Sequence, residues 1–214
     1  MLLVVLWRLR YKRSLRDVAA MFLERGCVFT HETVRDGEAR FAPLLIERLR
    51  AKRHGRPGAQ WPADATDRKV AGRWCSLYRA LDRAGHLVEA LLREKRAMAA
   101  ARRCFARALA TVGHAPAPVT TAGHDAFPHA IRETPGSGVR QRTGRYKHTR
   151  IAQEHRAIKQ RYYPLRGFGS FAAAARLCLA FEEQRQYFRA RGRPSRWRSA
   201  AAGSRSAGPR PWPR

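Results

Sequence analysis

Acidic residues are scarce in this 214-residue chain, which has 16 Asp and Glu against 44 Lys and Arg and a formal charge of +28. Such an imbalance predicts a polyanionic partner, because lysine and arginine neutralise phosphates and release their counterions. The alternative is a composition that is merely rich in arginine, as in ribosome-like proteins. A membrane surface is a weaker candidate, because no long basic amphipathic helix stands alone in the sequence.

Long apolar segments and paired cysteines are also missing. No stretch is long enough to cross a bilayer, so we expect no membrane partner. In the opening "MLLVVLW" the positive charges follow the apolar run, the reverse of a secretory signal, and we expect a helix there. The cysteines form no CxxC pair, which argues against a zinc knuckle or a disulfide framework. We expect reduced, buried thiols at Cys27, Cys75, Cys104 and Cys178.

The N-terminal region, residues 11–43, predicts two short helices around a tight turn. Ser14 and Asp17 form a candidate capping pair for the first helix, Gly26 ends it, and Thr30 is a good N-cap for the second. The pattern fits a helix-turn-helix, whose second helix lies in the major groove of DNA. An ordinary helical hairpin is the alternative. The first helix has one apolar face at helical spacing, formed by Leu15, Val18, Ala19 and Phe22.

The second helix carries the first candidate DNA contacts, Thr30, His31 and Arg35. Its apolar stripe is interrupted at Gly37, which weakens a helix by about 1 kcal/mol relative to alanine. We therefore expect this helix to be frayed and any sequence preference to be modest.

Composition divides the chain into four parts. Residues 1–50 form the helix-turn-helix region, and residues 51–60 a basic linker with glycine and proline. Residues 61–190 form an α/β domain, and residues 191–214 a basic tail dominated by Ser, Gly, Pro and Arg that we expect to be disordered.

Within the α/β domain, strands are predicted at 61–70, 73–82 and 86–92, and a fourth strand at 117–122 runs into a helix. A helix over 96–112 closes at Gly113, and two more helices span 150–163 and 170–192. These elements indicate a mixed sheet with helices on its faces. The expected apolar faces consist of Met98, Ala101, Phe105, Leu109 and Val112 in the first helix, and of Leu177, Phe181 and Phe188 in the last.

Several strings together resemble the short DDE transposases of bacterial insertion sequences, of the insertion-sequence-six type. They include "SLRDVAAMFLERG", "THETVRD", "GRWCSLYRALDRAG", "VTTAGHDAFPHAIRE", "RYKHTRIAQEHRAIKQRYYP" and "RGFGSF", in order from about Leu9 to Arg189. The resemblance implies an RNase H-like mixed sheet with flanking helices, preceded by a small helix-turn-helix. It also implies a homo-oligomer acting on the terminal inverted repeats of double-stranded DNA, in the bacterial cytoplasm with the nucleoid.

The family's chemistry, two-metal phosphoryl transfer, uses two Asp and one Glu to hold Mg²⁺ or Mn²⁺. By resemblance the first Asp corresponds to Asp64, which is the candidate metal ligand. The second corresponds to Ala122 and the Glu to Ala152, so two of the three carboxylates are absent. We therefore expect catalysis to be impaired and metal binding to be weak.

Nearby acids are poor substitutes. Glu154 is rotated by roughly 200° from Ala152 on a helix, and Asp125 would require a relaxed loop. Asp67 is expected on the opposite face of the sheet from Asp64, as a buried unpaired charge that destabilises the fold. The catalytic strings also depart from the family pattern at Ala65 and at His148-Thr149.

Further candidate DNA contacts are Lys147, Arg156 and Lys159, although a solvated basic face explains the last two equally well. Three functions remain open. The chain is a cutting transposase, a non-catalytic DNA-binding relative, or a decayed gene product.

Overall fold

The computed structural model describes residues 1–53, 57–95, 97–121, 126–136, 138–144, 149–162 and 167–189, with the backbone alone for 149–155. The helices are α1 Leu2–Arg10, α2 Leu15–Leu23, α3 His31–Ala51, α4 Met98–Val112, α5 Ala126–Glu133, α6 Thr149–Tyr162 and α7 Phe171–Tyr187. The strands are β1 Trp61–Val70, β2 Arg73–Leu81, β3 Leu87–Arg93, β4 Pro118–Thr121 and β5 Arg140–Thr143. No helix in these ranges is long and apolar enough to cross a membrane.

The strands form one sheet in the order β3-β2-β1-β4-β5. The first three strands make an antiparallel meander, and β4 and β5 continue it in parallel with β1. This mixed sheet with flanking helices is the RNase H-like architecture expected from the sequence. The β1–β2 hairpin closes on Ala71 and Gly72, both at positive φ, as a tight turn that matches the twist of the strands requires.

Each face of the sheet has its own core. On one face, alternate residues of β1 such as Ala63 and Ala65 pack with α4 and α5 around Phe105. On the other face, Val70 and Leu77 pack with α1, α3, α6 and α7. Because side chains alternate along a strand, Asp64 lies on this second face and Asp67 on the first, as predicted.

The N-terminal helices have a small core of their own, built from Val4, Val18, Phe22 and Val34. Ser14 and Asp17 form the predicted capping box, and Thr30 caps α3 through the backbone N–H of Thr33. The connection between α2 and α3, residues 24–30, is longer than the turn of about 3–4 residues usual in a helix-turn-helix. The helix-turn-helix therefore stays a prediction.

The expected fraying of the second helix is wrong. The helix α3 is continuous past Gly37, which is buried, and a Cβ there would lie 2.7 Å from the Met1 sulfur. The missing side chain is replaced by Met1, which arrives from the start of the chain. The last turns of α3 bring Leu45 and Leu49 into the core of the sheet. The division into domains remains a prediction. Helix α3 contributes Val34 to the small N-terminal core and Leu45 and Leu49 to the core of the sheet.

Other expectations need correction. Met98 and Phe188 are exposed, because Met98 opens α4 on its solvent side and Phe188 is the C-cap residue of α7. Cys27 is exposed in the turn after α2, while the other three thiols are buried. Asp67 is only partly buried and accepts a hydrogen bond of 2.6 Å from the Ser76 hydroxyl, so it is not the unpaired charge expected. The tail 191–214 lies outside the described residues.

Candidate functional site

The candidate site is centred on Asp64, in the middle strand of the sheet. Strand β4 pairs in parallel with β1, so that Thr121 at its end lies opposite Ala63, directly before Asp64. Strand β2, which follows β1 in the chain, lies on one side of β1, and the chain later returns as β4 on the other side. Ligands of open α/β sheets bind beyond the carboxyl ends of parallel strands, and here the carboxyl end of β4, at Thr121, lies beside Asp64.

Asp64 is partly exposed, and its Oδ1 accepts a hydrogen bond of 2.8 Å from the backbone N–H of Ala65. Its register partner on β2 is Arg79. Arg79 is buried and donates to the Glu182 carboxylate of α7 at 2.7 Å. The strand pair that carries Asp64 is therefore tied to α7 by a buried ion pair.

Sequence reasoning missed Arg79. Its signal was a charged residue between Tyr78 and Ala80, in a strand whose other central residues are all buried. A charge at such a position requires a partner, because an isolated buried charge is expensive. The partner could not be identified from the sequence, since Glu182 lies about a hundred residues further along the chain.

Helix α6 contains position 152 and crosses the same face of the sheet as Asp64. Ile158 of α6 is buried in the core with Val70. The Tyr162 hydroxyl donates to the Lys69 carbonyl oxygen at 3.0 Å, which fixes the end of α6 to the second half of β1.

The structure describes the two alanine positions, 122 and 152, to different extents. Ala122 follows the last described residue of β4 and, like Asp125, lies outside the described residues. Ala152 lies in the first half of α6, where the structure gives the helical backbone alone, and the same holds for Glu154. In the described part of the chain, no group of three His, Cys, Asp or Glu side chains comes together that could hold a metal ion.

The candidate DNA contacts are on two helices. Thr30, His31 and Arg35 lie at the start of α3, where Arg35 is exposed and pairs with Glu32 at 3.1 Å. Arg156 and Lys159 are exposed at neighbouring positions on α6. Lys147 lies outside the described residues.

A second set of ion pairs joins α3 and α7 to β3, at the edge of the sheet. Glu89 of β3 is fully buried, and Arg50 of α3 donates to it at 3.0 Å. Arg50 also donates to the buried Glu183 of α7, which binds Arg53 as well. These pairs satisfy buried carboxylates and join α3 and α7 to the sheet, so their role is structural.

Comparison with known proteins identifies the family. A family profile described as "DDE domain" matches residues 58–191. The "Transposase for insertion sequence-like element IS431mec" of Staphylococcus aureus is 31% identical over 159 residues, which cover 72% of this chain and 69% of the relative. The "Transposase for insertion sequence element IS257 in transposon Tn4003" of the same species gives the same identity and coverage.

Two solved structures are more distant. The simian T-cell lymphotropic virus intasome in complex with PP2A regulatory subunit B56 gamma matches with 16% identity and a TM-score of 0.46, over 66% of this chain and 58% of that chain. The HTLV-2 integrase catalytic core domain in complex with magnesium (dimeric form) matches with 18% identity and a TM-score of 0.39, over 50% and 70%. From the profile and the transposases, the chain belongs to the insertion-sequence-six family of DDE transposases.

Proposed function

We propose that this chain is a transposase-like protein that binds the terminal inverted repeats of an insertion sequence and has lost the ability to cut them. In this proposal it acts as a homo-oligomer on double-stranded DNA, with the nucleoid in the bacterial cytoplasm. The observation that carries the proposal is the contrast between an intact framework and a depleted catalytic set. Asp64 is present, whereas Ala122 and Ala152 stand where the family has carboxylates.

The framework supports this interpretation because it brings the three motif-bearing elements together. Strand β4 lies beside β1, and α6 is fixed to β1 by Tyr162 and Lys69. Ala152 precedes Tyr162 by about 15 Å of helix, at 1.5 Å per residue. Asp64 precedes Lys69 by about 17 Å of strand, at about 3.3 Å per residue. A helix that runs in the same chain direction as β1 would therefore bring position 152 to the level of Asp64.

The residues present do not fit a two-metal centre. Mg²⁺ needs near-ideal octahedral oxygen coordination and gives up its waters reluctantly. Asp64 alone offers two carboxylate oxygens, one of which already accepts the Ala65 N–H. One carboxylate is too little to hold two ions against bulk hydration.

DNA binding does not require the missing carboxylates. The net charge of +28 gives a strong attraction for phosphates that falls steeply with salt. The exposed start of α3, with Thr30, His31 and Arg35, is our candidate for sequence recognition. On α6, Arg156 and Lys159 are candidates for backbone contacts.

A decayed gene product with no defined structure is the main competing explanation. The buried carboxylates argue against it, because Glu182, Glu89 and Glu183 each have an arginine partner within 3.1 Å. Breaking one such pair costs about 3–5 kcal/mol, so random change would be expected to damage them early. A non-catalytic relative that occupies insertion-sequence ends, or that poisons mixed oligomers, fits these pairs better.

The test is cleavage of labelled duplex DNA carrying the terminal repeats found beside the gene, with Mg²⁺ or Mn²⁺. The natural chain should bind this DNA and leave it intact. Ala122→Asp and Ala152→Glu should each do little, because ligands that act as a unit are strongly non-additive. The two together should restore metal-dependent nicking, and adding Asp64→Asn to them should abolish it.

Thermal melting of every variant provides the control for folding. Strong cleavage by the natural chain that Asp64→Asn removes would refute the loss of activity. A folded double revertant without nicking would refute the claim that the two alanines are the cause, and would direct attention to Ala65 or His148. A natural chain that melts without a cooperative transition would favour decay.

A further inference from the structure

A cluster of arginines surrounds a cavity that the catalytic motifs do not explain. The cavity, of about 280 Å³, lies between the end of α7 and the β2–β3 turn, and Arg10, Arg185 and Arg189 line it. A second cavity of about 150 Å³ shares Arg10 and Arg185 and adds Arg161. We call these two adjoining cavities the arginine pocket.

The pocket is positively charged in its described lining. The acidic residue in that lining is Glu182, which already accepts a hydrogen bond from Arg79 at 2.7 Å. Burial, together with the neighbouring charges of Arg79 and Arg189, lowers the pKa of Arg185 to about 10. The lowered pKa reflects a cost of holding like charges together away from water. An anion in the pocket would offset that cost.

The guanidinium groups are also held in place before any ligand arrives. Arg161 donates to the carbonyl oxygens of Leu9 and Arg10 at 2.9 Å and stacks on Phe181, 4.0 Å from the ring centroid. Arg189 donates to the carbonyl oxygens of Ala84 and Gly85. Each guanidinium has five N–H donors in a planar fork, a geometry that matches phosphate oxygens.

The pocket is linked to the strand of the candidate site through one buried ion pair. Its wall residue Glu182 binds Arg79, and Arg79 is the register partner of Asp64. A phosphodiester in the pocket would therefore lie on the same face of the sheet as Asp64, beside the ion pair that holds its strand. We propose that the arginine pocket binds a phosphate group, either of a DNA backbone lying beside Asp64 or of a free phosphate compound. The DNA source rests on the proposed function, whereas the phosphate chemistry does not.

The test compares the full-length natural chain with Arg10→Gln/Arg185→Gln and with a matched control, Arg103→Gln/Arg132→Gln. The control removes the same charge from exposed positions on α4 and α5, on the opposite face of the sheet. Inorganic pyrophosphate, added at constant ionic strength, should raise the melting temperature of the natural chain and the control. The pocket variant should lose at least half of that shift.

Duplex DNA then distinguishes the two sources of phosphate. If the pocket holds the DNA backbone, the slope of log affinity against log salt should become shallower by about 1–2 in the pocket variant relative to the control, since each phosphate contact contributes about 0.9. An unchanged slope with a lost pyrophosphate shift would support the site and assign it to a free phosphate compound. A chain that binds no DNA would overturn the proposed function, and the pyrophosphate comparison would still decide the pocket.

Equal responses of the pocket variant and the control, to both pyrophosphate and DNA, would overturn the proposal. If the double variant fails to fold, Arg10→Gln alone replaces it, because the Arg10 side chain is exposed and its carbonyl oxygen, which Arg161 binds, is kept. If Arg10→Gln then shows the same melting-temperature shift with pyrophosphate as the natural chain, the proposal is overturned.

Discussion

The buried ion pair between Arg79 and Glu182 gives the sharpest prediction about stability near the candidate site. The Arg79 side chain is fully buried, Glu182 is 3% exposed, and their N–O distance is 2.7 Å. Arg79→Met leaves the carboxylate of Glu182 buried without this partner. Breaking a buried pair in this way costs about 3–5 kcal/mol. At about 2–4 °C per kcal/mol for a chain of this size, the melting temperature should fall by about 6–20 °C.

The double replacement Arg79→Met/Glu182→Leu should be less harmful than Arg79→Met, because neither charge is then left in the core. Replacing a buried pair by apolar residues of similar volume is often neutral or stabilising. Urea unfolding of the natural chain, both single variants and the double variant would give the coupling energy, provided that the denaturant slopes agree. Losses that simply add, or a loss below about 1 kcal/mol for Arg79→Met, would refute the assigned role of the pair.

Three further predictions concern recognition, thiol reactivity and pH. Arg35→Ala should weaken binding to terminal-repeat DNA more than binding to random DNA, whereas the control Arg48→Ala, at an exposed position in the last turn of α3, should lower both alike. Equal losses for Arg35→Ala would assign Arg35 to the DNA backbone. A thiol reagent should modify Cys27 rapidly in the native chain and the remaining thiols after unfolding. Burial raises the pKa of Cys178 to about 12, and fast labelling of more than one thiol would contradict the buried positions. Burial alone would raise the pKa of Asp82, but hydrogen bonds from His86 and from the Gly58 backbone outweigh it and lower that pKa. The stabilisation of the folded chain by ionised Asp82 is therefore present above the unfolded pKa of about 3.9, and it is lost as the pH falls through the folded pKa. Asp82→Asn should flatten the acid branch of the plot of unfolding free energy against pH.

The elements that could be predicted from the sequence are those with a strong local signal. The first half of β1 alternates between buried and partly exposed residues, and β2 is a continuous buried run after its first two residues. The Ser14–Asp17 capping box marks α2, and Gly113 ends α4 in the left-handed conformation. Strand β5 was missed because its residues Arg140–Thr143 are polar and largely exposed. An edge strand with little burial has no apolar alternation to reveal it.

Features that depend on distant contacts could not be predicted. The continuity of α3 at Gly37 depends on Met1, and the position of Arg79 depends on Glu182. In the candidate site, the assignment of Asp64 and its two alanine counterparts from the family strings stays a prediction, and the pairing of β4 with β1 is a finding of the structure. The arginine pocket left one signal in the sequence, the close spacing of Arg185, in the last turn of α7, and Arg189, just beyond the end of that helix.

The proposed loss of two carboxylates bears on the stability of the fold as well as on catalysis. A catalytic set of three carboxylates places like charges close together, which raises their pKa values and weakens the fold when no metal is bound. Active sites of this sort are strained parts of a protein, and replacing their residues often leaves stability unchanged or improved. Among the described residues, the two cores and the Arg79–Glu182 pair hold the sheet and its helices together through apolar packing and a buried ion pair. In the proposed function, alanine at positions 122 and 152 would remove this repulsion, and a folded, strongly basic chain that binds DNA without cutting it would be the outcome.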